Sequence, residues 1–450
     1  MIIGYKIIVK GGNILKIAKL YPHNLQITDV LHIIMLEIEV KMKYFKRESY
    51  LQKIRGFYDE AEIIKVITGV RRCGKSSLMQ TIADEISEKG IATENIIYLN
   101  LDKRGYRSVK TPEQLEKLID ENSKASGLKY LFIDEVQNVK DFEEVLNEYR
   151  DDGEFSIFIT GSNSYLLSGE LITKLTGRYI EFEMFPLNFN EYLEMKKFFK
   201  KNVSANLLEE FDNYLIEGGF PKAIQFDSIQ DKRTYISSVI SEIFEKDIKR
   251  RVKIKNTSVF NKVQQYLINN FGSTTSLTNI ISDLEKSGMK IKRETLNRYI
   301  KILCDSKVLY ECERFDLKSR KSISGEKKYY LSDLGFYYAT NTDNRINYGP
   351  VMENLTYIYA RGNNYSVSVG RIGKFECDFI LRKNNSDYSY IQVCMTMMAS
   401  TETEEREYKP LETIKDNFPK YILTRSDPIQ HRNGIIHKNM PELMKNGELF

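Results

Sequence analysis

The residues Gly69-Val70-Arg71-Arg72-Cys73-Gly74-Lys75-Ser76 follow the pattern GxxxxGK[ST]. In a loop of this kind, backbone amides converge on phosphate oxygens and the following helix N-terminus adds a favourable dipole. Gly69 and Gly74 allow backbone angles and close approaches that a side chain blocks. Lys75 is expected to reach the β and γ phosphates and Ser76 to ligate Mg²⁺, with Arg71, Arg72, Cys73 and Ser77 completing the phosphate-binding loop. The plain alternative is a glycine turn before a helix. Context favours phosphate: the loop follows an apolar strand, Ile-Ile-Lys-Val-Ile-Thr, and opens an amphipathic helix with Leu78, Ile82 and Ile86 on one face.

A second apolar run, Tyr130-Leu131-Phe132-Ile133, ends in Asp134-Glu135. Asp134 is expected to hold Mg²⁺ through water and Glu135 to polarise the attacking water. Taken alone, Asp134 would be an ordinary helix cap. A third run ends in Thr160-Gly161-Ser162-Asn163. Ser162 and Asn163 are candidates for touching the γ phosphate or orienting water, with Thr160 behind them; a simple strand-to-loop turn is the alternative. Arg178, just before the next strand, is either a surface arginine or a group that reaches a neighbouring subunit's nucleotide. Asn261-Lys262-Val263-Gln264 lacks the aspartate of an NKxD guanine signature, so ATP is the expected nucleotide.

Scarce residues exclude other chemistry. The four histidines are His23, His32, His431 and His437, so Ser-His-Asp and Cys-His catalysis and most His-ligated zinc sites are missing between residues 33 and 430. The five cysteines are scattered, odd in number and never spaced as CxxC, which suits free thiols in a reducing cytosol. Lys plus Arg number 67 against 62 Asp plus Glu, so net charge alone does not argue for nucleic acid. No apolar run approaches the length of a membrane span and no signal-peptide pattern opens the chain, so a cytoplasmic protein without a membrane partner is expected.

At about 100–200 residues per domain, 450 residues allow two to four domains. Residues 1–41 are apolar and basic without periodicity. They are either a genuine strand pair or translated upstream sequence, Glu39-Val40 before Met42 being encodable by a ribosome-binding core. Residues 42–186 alternate short apolar strands with helices, the pattern of a parallel sheet covered on both faces. Strands are expected at Ile63–Thr68, Ile96–Leu101, Lys129–Asp134, Phe155–Thr160 and Tyr179–Phe185. Residues 187–255 read as helical, ending in the charged run EKDIKRRVKIKN. Residues 256–345 give three helices and two β-rich stretches, and 346–450 a helix, a strand pair and a long charged helix.

Together GVRRCGKSSLM, LFIDEVQ, FITGSNSYLLSGE and LTGRYIEFEMFPLNFNEYL resemble a large prokaryotic group of AAA-type ATPases. The resemblance extends through EGGFPKAI, KKYYLSDLGF, GPVMENLTYIYARG and CDFI to roughly residue 425. It implies a P-loop α/β ATPase core with a helical lid, a winged-helix segment and a small restriction-endonuclease-like α/β module. It also implies that Arg178 stands at the arginine-finger position.

Within 256–345, Ser276–Ser287 and Arg293–Asp305 read as a helix-turn-helix pair, the second buried along Leu296, Ile300 and Leu303. Its exposed face carries Lys292, Arg293, Arg298 and Lys301, and a basic turn Lys318-Ser319-Arg320-Lys321 follows. That is either a duplex-DNA footprint or a solvated face of a protein-contact module. In the terminal module the resemblance implies a nuclease-like site, to which Glu353 and Asp378 correspond. The third element departs, with Gln392 for a glutamate and Cys394 for a lysine, so cleavage is expected to be lost.

The expectation is therefore an ATPase using Mg²⁺, homo-oligomeric and coupled to a DNA-binding C-terminal half. A nucleotide-gated switch or scaffold for protein partners is the non-enzymatic alternative, and an ATP-assisted nuclease is disfavoured by Gln392 and Cys394.

Overall fold

Runs that are apolar at every position must be covered on both faces, and the N-terminal half is organised by that requirement. The computed structural model describes residues 44–161, 175, 177–249, 252–319, 321–341, 345–383 and 387–450, with the side chains of 323 and 324 left aside. Met1–Phe45 separates as a unit from Lys46–Phe450. The expectations for 1–41, and those for Ser162 and Asn163, fall outside the described residues.

Five parallel strands, β1 (Ile64–Gly69), β2 (Ile96–Asn100), β3 (Lys129–Asp134), β4 (Phe155–Thr160) and β5 (Tyr179–Met184), form a sheet in the order β2-β3-β4-β1-β5. Helix α1 (Glu48–Ile54) leads into it. Helix α2 (Lys75–Glu88) packs on β1, β3 and β4. Helices α3 (Pro112–Asn122) and α4 (Phe142–Asp151) bring Leu115, Ile119, Val145 and Leu146 into one core with Ile64, Val66, Leu131 and Ile157. This is the α/β P-loop sheet expected from the strand pattern.

Three helices follow: α5 (Phe189–Phe198), α6 (Leu207–Glu217) and α7 (Ile229–Glu242). Their starts are set by Asn188, Asn206 and Ser228, each of whose side chains accepts a backbone amide of the first turn. α7 runs into a π-helical turn, Ile243–Ile248. Next come α8 (Thr257–Asn269), α9 (Leu277–Lys286) and α10 (Arg293–Asp305), with α10 against both of the others.

The hairpin that follows, β6 (Leu309–Asp316) and β7 (Lys321–Leu331), departs from the sequence reading. It does not end a separate domain. β6 pairs in parallel with β8 (Ser366–Ile372) through Arg314↔Val369, Phe315↔Gly370 and Asp316↔Arg371. The hairpin thereby joins β9 (Phe375–Arg382), β10 (Tyr388–Val393), β11 (Lys420–Thr424), β12 (His431–Arg432) and β13 (Ile435–Asn439) in one eight-stranded mixed sheet. Pairing with β8 covers the edge of the hairpin, which would otherwise offer unpaired amides and carbonyls. Of the last four helices, α11 (Gly335–Thr340) packs on α7 and α12 (Tyr348–Gly362) stacks Tyr357 on Tyr330. α13 (Thr401–Thr413) packs Tyr408 and Leu411 with Ile380, Tyr390 and Ile422, and α14 (Met440–Asn446) contacts α5.

Two polar nodes tie the halves of the Lys46–Phe450 unit together. Glu183 on β5 accepts from Lys307, from Tyr310 Oη at 3.1 Å and from Arg361 Nη2 at 2.8 Å. The turn after α6 supplies the second node. The Gly219 amide donates to Asp333 Oδ2 at 2.7 Å, the Gly335 amide donates to Asp333 Oδ1 at 2.8 Å, and the Gly219 carbonyl accepts the Leu187 amide at 2.7 Å. At Gly218 (φ +75°) a Cβ would lie 2.1 Å from Asp333 Oδ1, so only glycine lets this turn close on the carboxylate.

Burial raises Asp333 to about 7. Because the folded value exceeds the unfolded one, its contribution to stability is complete below about pH 4 and is lost as pH rises through 7, by about 4 kcal/mol at most. Denaturant unfolding over that range should show a steeper fall for wild type than for Asp333→Asn. Equal slopes would contradict the assignment.

Candidate nucleotide site

β1 ends at Gly69 with φ +142°, where a Cβ would lie 2.1 Å from the Met184 carbonyl oxygen and 2.9 Å from Cys73 Sγ. Only glycine lets the loop leave the sheet this close to β5. Gly74, at φ +111°, is the residue before α2, and Arg72 also takes a left-handed conformation at φ +70°. Lys75 is the first residue of α2 and is buried. Its ammonium curls into the loop and donates to the Gly69 carbonyl at 2.8 Å and the Val70 carbonyl at 3.2 Å. Ser76 is exposed at the next position, and its carbonyl accepts Tyr98 Oη at 3.3 Å. Ser77 turns its carbonyl to Thr81 Oγ1 at 2.9 Å. Cys73 is fully buried, and burial pushes its thiol up, so it meets the loop as a packing group.

The carboxylates stand at the same, C-terminal, edge of the sheet. Asp134 is 1% exposed; it accepts from Thr160 Oγ1 and from Asn100 Nδ2 at 2.8 Å. Glu135, partly exposed, takes a left-handed conformation (φ +60°, ψ +47°), its amide donates to Thr160 Oγ1 at 3.1 Å, and its carboxylate accepts from Gln137 Nε2. Thr160 therefore holds both acidic residues from the neighbouring strand. A hydroxyl and a carboxylate, with phosphate and water for the remaining positions, make a donor set that fits Mg²⁺. Among the described residues no group of three or more His, Cys, Asp or Glu side chains is placed to hold a metal unaided.

Arg178 is exposed and donates from Nη1 to Asn147 Oδ1 at 3.3 Å. Its carbonyl accepts the Ile64 amide, so it lies at the opposite end of β1 from the loop, roughly 16 Å away along the strand. It stands apart from the Gly69–Ser76 loop of its own chain.

Several residues at the site carry no motif in the sequence. Arg47, ahead of α1, is buried and donates to the carbonyls of Cys73 (3.2 Å), Phe185 (2.7 Å) and Pro186 (3.2 Å), and to both oxygens of Glu191. Glu191 also receives Ser49 Oγ at 2.6 Å and the Asn188 amide at 3.1 Å, closing the capping box of α5. The loop, the exit of β5 and the first helix of the next segment thus converge on one guanidinium. From the turn after α6, Pro221 comes within 3.8 Å of the position a Gly74 Cβ would take. Asn100, at the end of an apolar strand, is the one addition with a sequence signal. Arg71 and Arg72 point away from the loop: Arg71 forms a two-bond pair with Asp247 (2.7 Å each) and Arg72 one with Glu242 (3.1 Å each).

In the C-terminal half, Glu353 and Asp378 do approach one another, with a lysine that the sequence reading did not supply. Lys328 on β7 donates to Glu353 Oε2 at 2.9 Å and lies 3.1 Å from Glu376 Oε1. Burial, then the charge of Glu353, pushes Asp378 well above the usual carboxylate range. Gln392 Nε2 donates to Glu407 Oε2 at 3.0 Å, and the Val393 amide donates to Asp378 Oδ2 at 2.8 Å. The lysine was missed because β7 belongs, in sequence, to the preceding hairpin. Lys292, just before α10, and Arg293, Arg298 and Lys301 on it are all exposed; Lys301 pairs with Asp305 at 3.1 Å, and Arg298 donates to the Lys253 carbonyl at 3.4 Å.

A family model described as "AAA domain" matches residues 61–193, and one described as "Domain of unknown function (DUF8612)" matches 208–345. An uncharacterized protein of Haemophilus influenzae is 34% identical over 380 residues, covering 84% of this chain and 92% of the relative. An uncharacterized protein of Methanocaldococcus jannaschii is 30% identical over 406 residues, 87% of each chain. Among solved structures, a Walker-type ATPase of Pyrococcus abyssi aligns with a TM-score of 0.47 at 17% identity, over 66% of this chain and 95% of that one.

Removing the guanidinium while leaving the buried Glu191 carboxylate should be severe. Arg47→Met is expected to lose about 3–5 kcal/mol in urea unfolding. Arg47→Met combined with Glu191→Gln, which keeps the capping box, should recover part of it. Equal losses would show that the pair itself does not matter.

Proposed function

The chain belongs to the family of AAA-domain proteins that includes its Haemophilus influenzae and Methanocaldococcus jannaschii relatives, and on that premise we propose that it binds ATP with Mg²⁺ at Gly69–Ser76 and hydrolyses it. The observation that carries the reading is the convergence on one sheet edge of Lys75, Ser76 and a buried Asp134 held by Thr160 and Asn100. The amides from Arg71 to Ser77 receive the phosphates. Lys75 leaves the Gly69 and Val70 carbonyls for the β and γ oxygens. Ser76 directly and Asp134 through water would hold Mg²⁺, which would supply neutralisation of phosphate charge. Glu135 accepts a proton from the attacking water as that water adds to the γ phosphorus and ADP leaves; Gln137 Nε2 donates to its carboxylate.

Arg178, apart from the loop of its own chain, is an arginine finger for a neighbouring copy, which makes the active form a homo-oligomer. The C-terminal half is read as a helical lid over 187–255 and a winged-helix-like unit over 256–345 whose hairpin is built into the sheet of the nuclease-like module over 346–450. Duplex DNA is its proposed ligand, on the exposed Lys292, Arg293, Arg298 and Lys301 face, with exposed Lys318 and Lys321 as further candidates; Arg320 lies outside the described residues. Cleavage is not part of the reading: Gln392 is engaged by Glu407, and Lys328 neutralises Glu353 and Glu376. Both the nucleotide site and the basic face belong to a chain in which no helix among the described residues is long and apolar enough to cross a membrane.

Steady-state ATP hydrolysis tests this directly. Glu135→Gln should lower turnover by about 10²-fold or more. Duplex DNA should raise the wild-type rate, and Arg293→Glu with Arg298→Glu should abolish the rise while leaving the basal rate. Tight ATP binding with the same negligible turnover in wild type and Glu135→Gln would instead establish a nucleotide-gated switch for protein partners.

A further inference from the structure

The two arginines of the phosphate loop do not face solvent as free cations. Arg71 donates Nε and Nη2 to the two oxygens of Asp247, both at 2.7 Å, with the side chains 14% and 7% exposed. Arg72 donates in the same manner to Glu242 at 3.1 Å, with side chains 49% and 30% exposed. Both carboxylates belong to one stretch of chain, the end of α7 and the π-helical turn after it. Beyond its pair with Asp247, Arg71 also feels the negative charge of Glu135, the residue placed at the γ phosphate. One loop thus carries two guanidinium groups whose present partners are anions on an element from another part of the fold.

We propose that Asp247 and Glu242 are positioning residues of the nucleotide site, competing with the nucleotide's phosphates for Arg71 and Arg72. This rests on the reading of Gly69–Ser76 as an ATP site. Without nucleotide the carboxylates satisfy the arginines and hold the loop against the end of α7. A bound triphosphate offers a denser negative charge next to the same loop, and the guanidinium groups transfer to it. Asp247 then loses its two bonds to Arg71. The π-helical turn, closed by the Lys249 amide on the Phe244 carbonyl at 2.8 Å, is an uncommon register of the kind found at functional sites, and it loses its ion pair with the loop. Since α7 packs on α11, next to the Asp333 node, release of this turn passes nucleotide occupancy to the C-terminal half.

Competition fixes the sign of the effect. Removing a competitor raises the fraction of loop able to bind, so the apparent dissociation constant falls. A merely structural role predicts the reverse. A fluorescent ATP analogue with Mg²⁺ is titrated into the full chain: wild type, Asp247→Asn, Glu242→Gln and Lys75→Ala. Asp247→Asn should bind about three- to tenfold more tightly than wild type, and Glu242→Gln, whose pair is more exposed, by a smaller factor. Amide exchange over Ile243–Lys249 should quicken in wild type on adding nucleotide and be already fast in nucleotide-free Asp247→Asn. Unchanged or weaker binding by both carboxylate variants, with wild-type binding that depends on Lys75, overturns the competition alone. Wild-type binding that is absent, or equal to that of Lys75→Ala, overturns the ATP reading and the competition with it. Glu242 is more exposed than Asp247, so the sign can be read from Glu242→Gln even if Asp247→Asn fails to fold.

Discussion

A single buried guanidinium, that of Arg47, sets where the phosphate loop can be. It is buried, and its donors go to the Cys73, Phe185 and Pro186 carbonyls and to the carboxylate of Glu191. The four acceptors come from three segments: the loop, the exit from β5 and the start of α5. A charge buried this deeply is tolerated only when its donors find good partners, so the loop cannot shift without uncovering it. The cost of burial becomes a constraint on geometry, and a preformed loop is what phosphate binding by backbone amides requires.

From that anchor the connections run toward the C-terminal half without a break. Leu187, next to the Pro186 carbonyl held by Arg47, donates to Gly219, and Gly219 donates to Asp333. Glu183, on the strand whose Met184 carbonyl touches the loop, holds Lys307 and Arg361. Packed, hydrogen-bonded connections of this type have few arrangements to choose from, which makes them suited to report a change at the loop. The fused eight-stranded sheet extends the same body from Leu309 to Asn439.

The parts of the fold that were legible in the sequence are those set by local chemistry. Apolar runs such as Tyr130–Ile133 and Phe155–Ile159 can only be buried strands, and Ser276 before an amphipathic stretch marks a helix start; all three appear where expected. The glycines and Lys75 declare the loop because few other uses need that spacing. What stayed hidden is what depends on partners far along the chain. Arg47 looks like any surface arginine until Glu191 arrives 144 residues later. Asp247 sits in a charged run that reads as a solvated face, and its partner lies 176 residues earlier. Lys328 lies in a segment that reads as the strand of another domain, because parallel pairing of β6 with β8 leaves no local signal.

Every role proposed for these residues requires Gly69–Ser76 to be a nucleotide site. A crystal structure with a non-hydrolysable ATP analogue and Mg²⁺ tests that most directly. It should show the phosphates against the loop amides, the Lys75 ammonium moved from the Gly69 and Val70 carbonyls onto phosphate oxygen, and Ser76 and Asp134 at the metal. An analogue bound elsewhere, with Lys75 still on those two carbonyls, would contradict it.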